Sequence, residues 1–60
     1  METVEIHDYA RQLWGAHGVK AIAEAAQKAR VFEERGETER ARNWRRIEAI
    51  LLRKRGPRQS

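Results

Sequence analysis

Alanine supplies nine of the residues that make this chain 40% hydrophobic, and that shortage of bulk constrains its fold more than any other feature. Fifteen larger apolar side chains are left among 60 residues. A chain this short lies near the size at which one hydrophobic core just offsets chain entropy. Small scaffolds make up such a deficit with disulfides, a bound metal or an oligomer. There is no cysteine, which removes disulfides and the usual thiolate zinc sites. His7 and His17 stand too far apart in sequence to form a metal site alone, and neither has a second ligand at helical spacing, so no metal or other cofactor is expected. Self-association, or docking on a larger protein, is the route that remains.

Helix formers dominate, and neither period-2 alternation nor runs of β-branched residues signal a strand. Glycine punctuates the chain at Gly15 and Gly18 in "LWGAHGVK", at Gly36 in "ERGETE" and at Gly56 before Pro57. A glycine after the last turn takes the left-handed conformation that closes a helix, and a following proline prevents its resumption. The spacing predicts an all-α fold of three helices, about 4–16, 19–35 and 38–55. They form a single domain over 1–56, followed by a flexible tail at 57–60. The short connection at Gly36 folds the last two helices into an antiparallel hairpin.

Helical wheels show where that hairpin is apolar. The first helix carries a narrow stripe of Ile6, Tyr9, Ala10 and Leu13, with His17 in line and Trp14 at its edge. The second spreads Val19, Ala21, Ile22, Ala23, Ala25, Ala26, Ala29 and Phe32 over roughly half its circumference at about 100° per residue. The third does the same with Ala41, Trp44, Ile47, Ile50, Leu51 and Leu52. A helix packed on one neighbour needs a stripe of only about 100°. Two wide faces call for two neighbours each, so a homodimer is expected to complete the bundle, with Trp14, Ile50 and Leu52 at the edges of the apolar faces. Val31 lies opposite the apolar face of the second helix and is either an isolated exposed residue or a partner contact. Tyr9, Trp14, Phe32 and Trp44 are expected to form one core cluster, because so short a chain cannot enclose a ligand box among them.

Charge is concentrated late. Residues 37–60 hold eight of the 13 lysines and arginines against three of the nine acidic residues. Arg42, Arg45, Arg46 and Arg53 gather on the far side of the third helix from Trp44, with Lys54 on the flank and Arg55 and Arg58 extending the charge. Such a stripe can neutralise phosphates, as in an anion or nucleic-acid binder. It can equally be a solvated face whose basic last turn complements the helix dipole. Glu37, Glu39 and Glu48 share the helix and no aromatic interleaves the arginines, so the solvated face is preferred.

Other features carry less chemistry. "IAEAA" is similar to the first helix of helix-turn-helix repressors, but nothing breaks the helix before Gly36, so the required turn is missing. His17 before Gly18 is placed to cap the last carbonyls of its helix or simply to pack there. His7 and Asp8 are adjacent and point about 100° apart, which is unsuited to a catalytic dyad. Glu24 and Lys28 form a favourable i,i+4 surface pair. No Ser/His/Asp arrangement or glycine-rich phosphate loop is present, so no enzyme is expected. The acidic opening segment is unlike a secretory signal and no run approaches a membrane span, which places the protein in the cytoplasm.

From Ile6 to Ser60 the chain resembles a set of short, uncharacterised bacterial helical-hairpin proteins. The shared residues are "YARQLW", a His-Gly break, "AEAAQKA", a glycine followed by an acidic residue, "A-x-x-W-R-R-I" and "RGP". That resemblance implies a helical hairpin and no particular activity. Glu37 stands where such a pattern favours Asp, the better N-cap. "GETERA" is similar to the inter-helix turn of tetratricopeptide repeats, which again implies an interaction hairpin without naming a ligand. Together these features predict a small interaction or adaptor module that binds itself or a larger protein.

Overall fold

The computed structural model describes residues 3–56, and the expected tail at 57–60, including Arg58, lies outside the described residues. Three helices follow one another: α1 (Thr3–His17), α2 (Lys20–Glu34) and α3 (Thr38–Arg55), with no strand among the described residues. The all-α expectation holds, and each predicted helix lies within a residue or two of its observed bounds.

One glycine behaves differently from the reading of the sequence. Gly15 does not break α1; it sits inside the helix with helical φ and open space where a Cβ would point. Its cost relative to alanine is entropic, at most about 1 kcal/mol. Termination falls to Gly18, which adopts φ +62° and donates its N–H to the Trp14 carbonyl at 2.8 Å. That single bond from the residue after the cap back to the last turn closes α1 with a left-handed residue. Val19 then enters α2 directly, with no side chain capping its first amides.

At the other turn the backbone does more. Gly36 takes φ +79° and donates to the Glu33 carbonyl at 3.1 Å, while Glu37 donates to the Phe32 carbonyl at 2.9 Å. These are the paired 5→2 and 6→1 bonds of a Schellman ending, and they reverse the chain within two residues. Across the turn the pairings are antiparallel: Phe32 meets Arg40, and Glu33 meets Arg45. The two helices share the molecule's largest interface, while α1 leans mainly on α3 and only lightly on α2.

The interior follows from the alanines. Ala21, Ala25 and Ala29 recur every four residues on α2 and are all fully buried. Side chains this small let the backbones of α2 and α3 approach closely, which is how a hairpin with few large residues still excludes water. The other buried residues are Ile6, Ala10, Ala41, Ile47 and Leu51. The large side chains fully enclosed are Ile6, Ile47 and Leu51. Around them Tyr9, Leu13, Trp14, Ile22, Trp44 and Ile50 pack half-buried. The apolar arc of α2 is narrower than its composition suggests, since Ala23 is exposed and Val19 stands 59% exposed at the junction with α1.

The start of α3 carries a testable defect. Glu37 occupies the N-cap position with φ −87° and ψ 77°, but its side chain makes no cap hydrogen bond. The carboxylate reaches outward instead, 3.5 Å from Arg40 Nε and 3.8 Å from Arg35 Nη1. A shorter Asp can fold back onto the free amides of the first turn, while the exposed ion pairs that it gives up are weak. Glu37→Asp is therefore expected to stabilise the protein by about 0.5–1 kcal/mol, raising Tm by a few degrees. A thermal melt in which Tm falls would show that the contacts to Arg35 and Arg40 outweigh the cap.

Candidate functional site

The arginine stripe of α3 divides in two. Arg45 folds back across the hairpin, its Nε and Nη2 donating to the two carboxylate oxygens of Glu33 at 3.1 and 3.2 Å. Its Nη1 donates to Glu48 at 3.1 Å, one turn along α3. The hydrogen bonds to Glu33, then the one to Glu48, raise its pKa above its ordinary value. A planar fork shared between two carboxylates spans the hairpin, and as an exposed pair it adds little stability. Arg45 therefore does not belong to the anion-binding set, because both faces of its charge are already committed.

Arg42, Arg46 and Arg53 stay exposed on the outer face, with no ion-pair partner among the described residues. Arg46 and Arg53 flank a shallow depression of about 400 Å³ where α1 meets α3, and Ile6, His7, Ala49 and Ile50 complete its lining. A second depression, of about 420 Å³, opens on the other side of the hairpin. Only α2 and α3 line it, through residues that include Ala23, Ala26, Arg30, Val31, Glu34 and Arg45.

The four residues expected at an interface separate accordingly. Val31 is half-buried rather than fully exposed and lines the α2/α3 depression. Leu52 is 42% exposed on α3 and does not line that depression. Ile50 lies instead at the α1/α3 depression while packing partly on the core. Trp14 is half-buried against the core, so most of its surface is already used.

Other expectations shift as well. Tyr9 and Trp44 form an edge-to-face pair with centroids 5.5 Å apart and an interplanar angle of 81°. Trp14 packs on the same core, but Phe32 does not belong to it. Phe32 sits near the hairpin turn with the Arg40 guanidinium 5.8 Å from its ring centroid. The aromatics thus form a core group of three and a separate cation–π contact at the turn. His17 does not cap α1; its Nδ1 lies 3.3 Å from Glu24 Oε2, so Glu24 faces α1 instead of Lys28. Asp8 accepts from Arg11 at 3.0 Å, and His7 stands on the rim of the α1/α3 depression.

Among the described residues no three His, Cys, Asp or Glu side chains stand close enough to hold a metal ion, and no helix is long and apolar enough to cross a membrane. No protein family matches the chain, and no curated protein or solved structure is significantly similar to it.

The cross-hairpin clamp was the main feature missed by reading each helix by itself. Spacing along one helix cannot reveal a pair twelve residues apart. A hairpin folded about Gly36 contains part of the signal, since it sets α3 beside α2 and brings an arginine of one within reach of a glutamate of the other.

Proposed function

We propose that this protein is a small interaction module, not an enzyme, and that it works as a homodimer joined along the open edge of its α2/α3 hairpin. The observation that carries this reading is the apolar strip of Ala23, Ala26 and Val31 along the α2/α3 depression, which α1 does not line. With three large side chains fully enclosed, the chain has much to gain from covering that strip. The charges beside it have both signs, with Arg30 and Glu34 one turn apart on α2. A two-fold contact presents the same patch from both subunits, so mixed charge can pair with itself while like-charged patches cannot. A cysteine-free chain of this kind suits a reducing compartment such as the cytoplasm.

Sedimentation velocity at micromolar concentration tests the reading. The expected species has twice the mass of the 7.0 kDa chain. Ala23→Glu, a change at an exposed position on that strip, is expected to return it to a monomer with a lower Tm. A folded monomer for the unmodified chain at that concentration would contradict the proposal.

A further inference from the structure

The geometry points to a second, separate docking site: the α1/α3 groove, which we propose binds an acidic amphipathic helix of another protein. Its floor is apolar, made by Ile6, Ala49 and Ile50, and its rim is cationic, made by Arg46 and Arg53 with His7 opposite. Arg42 extends the same face one turn toward the start of α3. At 1.5 Å of rise per residue, Arg42, Arg46 and Arg53 stand about 6 and 10.5 Å apart along the helix. A helix lying in the groove offers carboxylates at the same intervals when Glu or Asp occupies i, i+4 and i+11, with apolar anchors between them. That is helix-in-groove recognition with charge setting orientation and partner choice.

Competing occupants fit less well. A second copy would bring three further arginines to the same face, and like charges in register repel. Nucleic acid is held by phosphate contacts and by bases stacked on aromatics, and this groove has an apolar floor with no aromatic residue. A small anionic amphiphile needs most of its surface enclosed, whereas this depression is open along its length. The site is independent of self-association, because no residue lines both this groove and the α2/α3 depression.

Fluorescence anisotropy on the full chain tests it. The probe is a labelled helical peptide of about 20 residues with Leu on one face and Glu at the spacing above. Its controls are the same peptide with Gln for Glu, a single-stranded oligonucleotide and phosphatidylglycerol vesicles. The Glu peptide is expected to bind at least about tenfold more tightly than the Gln peptide, and the double variant Arg46→Gln/Arg53→Gln to lose at least about tenfold. Removing the same charge elsewhere, with Lys20→Gln/Lys28→Gln, is expected to change affinity less than about twofold. No binding of the Glu peptide, equal losses in the two double variants, or tighter binding of the oligonucleotide or the vesicles would each overturn the proposal. Sedimentation in the same buffer reports the oligomeric state separately, so failure here and failure of the dimer are distinguishable.

Discussion

Leu51→Ala is expected to unfold most of the protein at physiological temperature. Leu51 is one of three large side chains with no exposed surface, and it belongs to the cluster where α1, α2 and α3 meet. Truncating a buried leucine removes its transfer free energy and leaves a cavity that neighbours fill only partly, at a cost of about 2–5 kcal/mol. A domain of this length has about 3–9 kcal/mol of total stability, so the loss consumes much or all of it. Urea or thermal unfolding followed by far-ultraviolet circular dichroism reads the effect directly. If the midpoint stays within a degree or two of the parent, Leu51 does not hold the core and the burial described above is misplaced.

Ala25→Leu tests the opposite error. Ala25 is fully buried at the centre of the alanine seam, where a larger side chain has no free volume to enter. Added methylenes in a tightly packed interior force off-rotamer side chains or backbone shifts costing about 1–3 kcal/mol. Here the shift must separate α2 from α3, which also strains the Arg45 clamp on Glu33. The expected outcome is a clear fall in Tm despite a more hydrophobic sequence. Ala23→Leu, at an exposed position on the same helix, is the control and should cost far less. A stable Ala25→Leu protein would mean that the two helices are not held together by small-residue contact.

These two changes act in opposite senses because α2 is a seam of alanines and α3 supplies the bulk. That division was partly visible in the sequence. Ala21, Ala25 and Ala29 recur at helical spacing, and Ile47 and Leu51 share a face of α3, so the helices and most of the core were legible from periodicity. Gly18 and Gly36 likewise announced the turns, since each must adopt a positive φ. Gly15 did not, because a glycine inside a helix and one that ends it look alike until the hydrogen bonds around them are known.

Val19 departs from its wheel position for a related reason. It fits the apolar arc on a wheel, but it stands at the very start of α2, where α1 has already turned away. The functional surfaces were less legible than the fold. Arg42, Arg45, Arg46 and Arg53 look equivalent on a wheel of α3, and only the placement of Glu33 on the neighbouring helix separates the structural arginine from the three outer ones. Ile50 lies at an apolar edge on the wheel of α3, and the position of α1 decides which edge. Each of these is a question of how helices lie against one another, and intrahelical periodicity does not encode it.

Thermal unfolding at two chain concentrations about a hundredfold apart is the most direct check on whether this thin core is completed by a second copy. When folding is coupled to dimerisation, mass action raises Tm with protein concentration, and Tm is expected to climb by several degrees across that range. One sharp transition at the same temperature in both samples would show that the chain folds fully by itself.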